Sequence, residues 1–400
     1  MSKAIPRPQL ALSKPRPRPS AEAAKWLRPG VVVHEPCATA DALLIDFAGE
    51  LRARGFRVGG YARKPQPAGA SPLSVDLATG ASFVEEPRAA RRRLEQAISE
   101  GADLFAVGRF PACADAAGEV GLPIGPTSGR GLPVLTAIAG AAIHHTHSFV
   151  RLEGTMIAPD RRDLWRWWGP ERLYDDLILG VPETETIRVV CGLRWVLVEG
   201  RRGAGLAPLP RPGGEFAARA DKLRGESLAT LARLARSLDP LETALGVAAI
   251  NAHYNRFDFA GFAGDGAAAF RSAPSPVAVI GAFPDIGDVL PECAVVEASP
   301  RPGALSFAAL DTLLPACGAA LVNSSALVNR SLQRILRLAR QRPVGLVGPA
   351  TPLASRLHAY GLSVLGGFVV HDASGLAGAV AAGAPAREFV RFGRLVHIRA

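Results

Sequence analysis

The sequence predicts an α/β protein with a parallel sheet at each end of the chain and a small α+β domain between them. Short runs of β-branched residues alternate with amphipathic, helix-like segments in the N-terminal and C-terminal parts, as is typical of parallel sheets crossed by helices. Gly, Pro, Ser and Asn follow most of the strand-like runs and indicate turns. With 400 residues, 48% of them hydrophobic and 20% charged, the chain has a folded composition and is too long for one core.

The N-terminal α/β domain is predicted over residues 30–147. It opens with a buried strand at 31–35, followed by a helix from Thr39 to about residue 54 that Gly55 ends. The remaining predicted elements are strands at 56–61, 103–107 and 133–137 and a helix near 88–99. Because these strands alternate with helices, we expect a parallel sheet.

The small α+β domain is predicted over residues 148–260. Its expected elements are strands at 186–191 and 193–199 and helices at about 227–237 and 240–252. The second helix starts with Asp239-Pro240-Leu241-Glu242. Asp239 is the expected N-cap, proline occupies the first helical position, and Glu242 is expected to close a capping box.

The third domain, residues 276–400, has the clearest alternation. The expected strands are 277–281, 294–297, 319–323, 344–348 and 365–370, and the expected helices lie near 285–290, 306–314, 326–340, 352–359 and 374–382. This order predicts a doubly wound, Rossmann-like sheet.

The net charge of +10 is concentrated at the N-terminus. Residues 1–29 carry +6, so the other residues carry only +4. We predict that 1–29 form a disordered Arg/Pro-rich tail, although weak contacts with phosphates are an alternative. No apolar stretch reaches the roughly 18 residues of a membrane span. The five cysteines form no Cys-x-x-Cys pair, which favours the cytoplasm, and neither a membrane nor a nucleic-acid partner is expected.

Polar residues are expected at the carboxyl edge of the third domain's sheet, where open parallel sheets bind ligands. Helix N-termini at the same edge would favour an anion. The predicted ligand-binding residues there are Phe283, Glu297, Asn323, Ser324, Ser325, Asn329, Gly348 and Thr351. They could hold a phosphate, a carboxylate or a molybdate-like oxyanion, and the alternative is that they only cap helices and shape turns.

The segment Asn251-Ala252-His253-Tyr254-Asn255 ends the last helix before the third domain. We therefore predict that Asn251, His253 and Asn255 face the sheet's carboxyl edge across a cleft between the second and third domains. His253, with Glu297, is also a candidate metal ligand. A core or capping role for the histidine is the alternative.

A second histidine cluster, His144-His145-Thr146-His147, is another candidate metal site. In an extended chain His145 and His147 would lie on one face and could share a transition metal. A strand or linker at a domain junction is the competing interpretation.

Nucleotide-binding motifs are weak. Glu297 ends the second strand of the third domain, where an acidic residue would hold a ribose, but the preceding turn lacks Gly-x-Gly-x-x-Gly. The chain contains neither a P-loop motif nor a Gly-x-Ser-x-Gly elbow.

The residues also resemble known families. Segments 277–284, 295–303, 322–332 and 346–353 resemble, in this order, the heavy-metal-chelation family, a Rossmann-like domain of unknown function. Segments 192–198, 205–207 and 249–255 resemble the enolase-N-terminal-like domain that precedes it. Residues 30–140 resemble an uncharacterised family associated with molybdenum-transport genes, although segment 108–113 departs from its pattern.

The resemblance implies a cytoplasmic protein of metal homeostasis that binds a heavy metal, a metal oxyanion or a metal chelate. Its cofactor would be a metal ion or a molybdate-like oxyanion, and a homo-oligomer is left open. One alternative is an enzyme with a nucleotide-like cofactor on the Rossmann-like edge, in which His253 and Glu297 would serve as acid and base. Another is a ligand-sensing or scaffold protein.

Overall fold

The computed structural model describes residues 30–34, 39–64, 73–84, 89–108, 132–139, 155–212 and 215–400. The chain divides into two compact units, residues 1–167 and 168–400. The predicted tail and the cluster around His145 and His147 lie outside the described residues. The boundaries predicted near 148 and 276 stay a prediction.

Unit 1 contains a mainly parallel sheet. Its strands are β1 (Gly30–His34), β2 (Val58–Arg63), β3 (Leu73–Asp76), β4 (Ser82–Val84), β5 (Leu104–Val107), β6 (Val134–Ala139) and β7 (Thr155–Ile157), in the order β4-β3-β2-β5-β6-β1-β7. The helices are α1 (Thr39–Ala53), α2 (Ala89–Ser99) and α3 (Arg161–Trp168), which ends at the boundary with unit 2. Leu44, Phe47 and Leu51 of α1 are buried, as their helical spacing predicts. The antiparallel strands β3 and β4 were not predicted.

Unit 2 begins with the elements of the predicted α+β domain. Its three-stranded antiparallel sheet consists of β8 (Thr186–Cys191), β9 (Trp195–Gly200) and β10 (Ala204–Pro208). The helices are α4 (Leu173–Leu179), α5 (Glu215–Ala220), α6 (Leu228–Arg233) and α7 (Pro240–Tyr254). Helix α7 packs so closely on β10 that a Cβ on Gly205 would overlap the α7 backbone at Ala248. This contact requires glycine for its lack of a side chain.

The second sheet of unit 2 is Rossmann-like, as predicted. Its strands are β11 (Phe262–Ala263), β12 (Val277–Ile280), β13 (Cys293–Glu297), β14 (Leu305–Ser306), β15 (Ala319–Asn323), β16 (Val344–Val347), β17 (Leu362–Val370) and β18 (Gly393–Arg399). Strands β12 to β17 are parallel in the order β14-β13-β12-β15-β16-β17. Beyond β17 the sheet continues with β18, antiparallel to β17, and with β11, antiparallel to β18. The order reverses between β12 and β15, which is the topological switch point where such sheets bind ligands.

Four of the five helices predicted around this sheet are shorter than predicted or divided, and the last differs from its predicted bounds by one residue at each end. The helices are α8 (Ile286–Val289), α9 (Leu310–Ala316), α10 (Ser325–Val328), α11 (Leu332–Leu338) and α12 (Ala373–Ala381), and residues Ser355–Tyr360 form a 3-10 helix. The single helix predicted over 326–340 is divided into α10 and α11, because Arg330 has a left-handed backbone with φ of 59°. In the described part of the chain, no helix combines the length and apolar character needed to cross a membrane.

Candidate functional site

Asn323 bridges the ends of β15 and β12 at the switch point. This residue ends β15, and its Nδ2 donates a hydrogen bond to the carbonyl of Ala282, in the loop that follows β12, at 2.9 Å. Gly281 begins that loop with φ of 97°, and a Cβ there would lie 2.7 Å from the Cβ of Asn323. Glycine is thus needed at 281 both for the backbone conformation and for the close approach of the two loops.

Asn323 also organises the start of α10. Its Oδ1 accepts a hydrogen bond from the backbone N–H of Ser325 at 2.9 Å. The bond to Ala282 uses one of the two Nδ2 hydrogens, so the other remains available. Asn323 and Ser325 are only partly buried, so both can offer hydrogen-bond groups to a molecule at the switch point.

Ser324 has a different role, because it joins the crests of β15 and β16. Its Oγ accepts a hydrogen bond from the N–H of Ala350 at 3.2 Å, and its own N–H donates to the carbonyl of Val347 at 2.8 Å. A Cβ on Gly348 would overlap the Ser324 hydroxyl. Ser324 is buried and fixes the loop after β16.

Glu297 ends β13 on the other side of β12. The N–H of Gly281 donates to the carbonyl of Val296 at 2.8 Å, so Glu297 lies beside the loop after β12. Its carboxylate pairs with Arg301 through Nε at 3.1 Å and Nη2 at 2.6 Å. The hydrogen bonds and positive charge of Arg301 hold the pKa of Glu297 below its usual value.

Asn251 and Asn255 form a buried amide network at the end of α7. Asn251 donates through Nδ2 to the carbonyls of Leu206 and Ala350, at 2.8 and 2.9 Å. Asn255 donates to the carbonyls of Thr351 and Phe368 and accepts from the N–H of Leu353. Both asparagines are fully buried. The predicted proximity to the sheet's crest therefore occurs, but the Nδ2 groups bind backbone.

Two buried oxygens of this network have no hydrogen-bond partner among the described residues, Oδ1 of Asn251 and Oγ1 of Thr351. The two carbonyls bound by Nδ2 determine which way the Asn251 amide is oriented. Its Oδ1 is thus an unfilled acceptor near the loop after β16. Sequence reasoning predicted both residues but not that they would be fully buried.

His253 lies on another face of α7. It lies two positions from each asparagine, which corresponds to about 200° around a helix. Its ring packs edge-on against the ring of Tyr254, with 4.6 Å between the ring centroids. Partial burial, with the charges of Arg356, Arg202 and Arg256, lowers the pKa of His253 to about 4, so its imidazole is neutral at pH 7. The structure thus brings Asn251 and Asn255 to the loop after β16 and directs His253 towards arginines.

The remaining predicted residues lie around the crest. Phe283 is half-buried and packs on the apolar cluster that includes Val279 and Leu321. Asn329 is exposed and accepts hydrogen bonds from the N–H and hydroxyl of Ser331 at 3.0 and 2.7 Å. Sequence reasoning did not predict Arg301 as a site residue. The only feature of the sequence that indicates it is its position four residues after Glu297, the acidic end of β13.

Candidate metal ligands are sparse. Across the described ranges, no three His, Cys, Asp or Glu side chains cluster closely enough to hold a metal ion. Glu297 is occupied by Arg301, and His253 is surrounded by positive charge. The crest offers mainly amide, hydroxyl and backbone groups, which suit an anion or a polar organic group.

Comparison with known proteins adds the family. Residues 270–399 match the model of DUF364 and residues 174–254 that of DUF4213, and both carry the description "Putative heavy-metal chelation". A crystal structure of a DUF364 protein of unknown function from Desulfitobacterium hafniense is 31% identical, with a TM-score of 0.51. The match covers 57% of this chain and 97% of that one. The chain belongs to the DUF364 family.

This membership confirms the family resemblance and the fold predicted for the C-terminal part. A second DUF364 structure of unknown function, from Pyrococcus horikoshii, is 22% identical with a TM-score of 0.49, and covers 57% of this chain and 98% of its own. No curated protein matches the chain. The family description supports metal binding as the coarse function, and the resemblance of residues 30–140 to a molybdenum-associated family stays a prediction.

Proposed function

We propose that this DUF364 protein binds a metal in anionic form, as an oxyanion such as molybdate or as a carboxylate-bearing chelate, at the switch point of unit 2. The observation that carries the proposal is the set of neutral donors at the crest, the spare N–H of Asn323 and the hydroxyl of Ser325. Oxyanions and carboxylates accept hydrogen bonds from such groups. A bare soft cation would instead need thiolates or clustered imidazoles.

The glycines of the crest support the same proposal. Gly281 and Gly348 have φ values of 97° and 135° and allow the loops after β12 and β16 to approach neighbouring side chains. This close approach holds Asn323 and Ser324 against the loops at the switch point, where open parallel sheets bind ligands. Asn251, Asn255 and Thr351 would form the buried wall that holds the loop after β16 in place.

We place this activity in the cytoplasm, in metal homeostasis. The cysteines of the described part, Cys191, Cys293 and Cys317, are free thiols, and burial raises the pKa of each. Free, protonated thiols are typical of a reducing compartment.

A nucleotide-like cofactor is the second candidate. Its supporting observation is the position of Glu297 at the end of β13, beside the first crest loop of a sheet with Rossmann strand order. In that function Glu297 would bind a ribose hydroxyl, and Arg301 would first have to release it.

Isothermal titration calorimetry with purified protein tests the proposal. The ligands are molybdate and Ni²⁺–citrate, their metal-free counterparts sulfate and citrate, and ATP. We expect the metal-containing anions to bind more tightly than their counterparts. Asn323→Ala should weaken them about tenfold, which is about 1.4 kcal/mol, with only a small decrease in melting temperature.

The matched control is Gln341→Ala, because Gln341 is an exposed amide just before β16, at the opposite edge of the sheet. It should bind like the unchanged protein. The proposal would be refuted if sulfate bound as tightly as molybdate and citrate bound equally with and without Ni²⁺. Unchanged binding in Asn323→Ala would also refute it. Preferential binding of ATP would favour the second candidate.

A further inference from the structure

Arg301 is a positively charged group that the crest presents to solvent. Its side chain is 68% exposed, whereas the carboxylate it binds, that of Glu297, is only 8% exposed. The carboxylate is fixed by the end of β13, and the guanidinium extends from it into solvent. The pair is thus anchored at one end and open at the other.

The geometry of the pair leaves a defined edge of the guanidinium free. Nε and Nη2 bind the two carboxylate oxygens, at 3.1 and 2.6 Å, so the contact is side-on. A guanidinium has five N–H groups. Three remain, two on Nη1 and one on Nη2, and the outer hydrogens of Nη1 and Nη2 form the end-on fork that matches a carboxylate or a tetrahedral oxyanion.

The strand order places the Glu297 end of the pair near the switch point. Val296 pairs with Ile280 on β12, and Ile280 pairs with Val322 on β15. Neighbouring strands lie about 4.8 Å apart, so the backbones of Glu297 and Asn323 are separated by about 10 Å. A ligand with several oxygens can contact Asn323 with one end and Arg301 with the other.

We propose that Arg301, oriented by Glu297, is the charged residue that binds the anionic group of the ligand at the crest. The proposal rests on the proposed function in placing the ligand at the switch point. It adds the residue that selects an anion over a neutral molecule, since amides and hydroxyls bind both. Glu297 is then a positioning residue for Arg301 and is not itself a ligand.

The test is calorimetry at low and moderate NaCl with two anionic probes. Molybdate contains a metal, and citrate does not. Arg301→Gln should weaken both anions at least tenfold and reduce the dependence of affinity on salt, since the charge that attracts the anion is gone. Arg301→Lys keeps the charge but loses the fork, so an intermediate loss of about threefold or more is expected.

Arg334→Gln is the matched control. Arg334 is also exposed, at 47%, and pairs with Asp311 on a neighbouring helix of the same unit, through a single contact at 2.6 Å. It should bind both probes within twofold of the unchanged protein. A purely structural role for Arg301 would alter the melting temperature of Arg301→Gln and leave the salt dependence unchanged.

Failure of this inference differs from failure of the proposed function. If Arg301→Gln and Arg301→Lys bind both probes like Arg334→Gln, or if the unchanged protein binds neither probe, the inference is overturned. If citrate binds equally with and without Ni²⁺ and both depend on Arg301, the inference stands and the preference for metal fails.

Discussion

The asparagines at the end of α7 and the asparagine at the end of β15 have the same chemistry and different surroundings. Asn255 is completely buried, and its side chain makes three hydrogen bonds to backbone groups, two in the loop after β16 and one in β17. Asn323 is partly exposed, and its side chain makes two hydrogen bonds. The comparison teaches that residue type indicates a polar site, while burial and saturation of hydrogen bonds decide whether the site holds the fold or offers donors to a ligand.

The energetic reason is the asymmetry of hydrogen bonding. A buried hydrogen bond contributes only about 1 kcal/mol net, but a buried group left without its partner costs about 1–3 kcal/mol. Removing Asn255 would leave three buried backbone groups unpaired. Removing Asn323 would leave groups that water can reach.

The largest expected effect is therefore that of Asn255→Ala on stability. We expect the free energy of unfolding to fall by about 3 kcal/mol or more, against less than about 1 kcal/mol for Asn323→Ala. Urea denaturation followed by circular dichroism measures both. Similar losses for the two variants would contradict the distinction between a structural amide and a crest amide.

The next effect concerns His253, which shares α7 with the buried asparagines but not their face. Its folded pKa is about 4, and that of an unfolded histidine is about 6.5. Between these values the unfolded chain binds more protons, so stability falls as the pH decreases from 6.5 to 4. We expect His253→Gln to remove about 1–2 kcal/mol of this loss, after allowance for solvent screening.

Thermal melts at pH 7, 6, 5 and 4.5 would show this as a smaller decrease in melting temperature for His253→Gln. The control is His371→Gln, because His371 is exposed. A pH profile for His253→Gln that coincides with that of the unchanged protein would mean that the arginines do not hold this imidazole neutral.

The smallest effect should come from Asn329→Ala. Asn329 is exposed, and its Oδ1 accepts only local hydrogen bonds from Ser331 between α10 and α11. We expect less than about 0.5 kcal/mol in urea denaturation, and a smaller loss of molybdate affinity than Asn323→Ala causes. A larger loss would move the centre of the site from the switch point towards α11.

Local signals in the sequence were sufficient for the elements that carry the site. Asp239 caps α7 as predicted, accepting from the N–H of Leu241 at 2.7 Å, although Glu242 accepts from the hydroxyl of Ser237 instead of closing a capping box. Strand β15 has the predicted bounds, since its apolar run ends abruptly at Asn323. Strand β18 was not predicted, because it depends on pairing with β17.

By itself, the sequence determined the parallel α/β alternation, the end of α7 and the polar residues at the strand ends, because these depend on neighbours within a few positions along the chain. Only the tertiary structure decided which of those residues are buried and hydrogen-bonded to backbone groups. Asn251 bonds with Ala350, 99 residues away, and Asn255 bonds with Phe368, 113 residues away. Hydrogen-bond partners and burial are set by packing between distant segments, and a pattern of residue types does not contain that information.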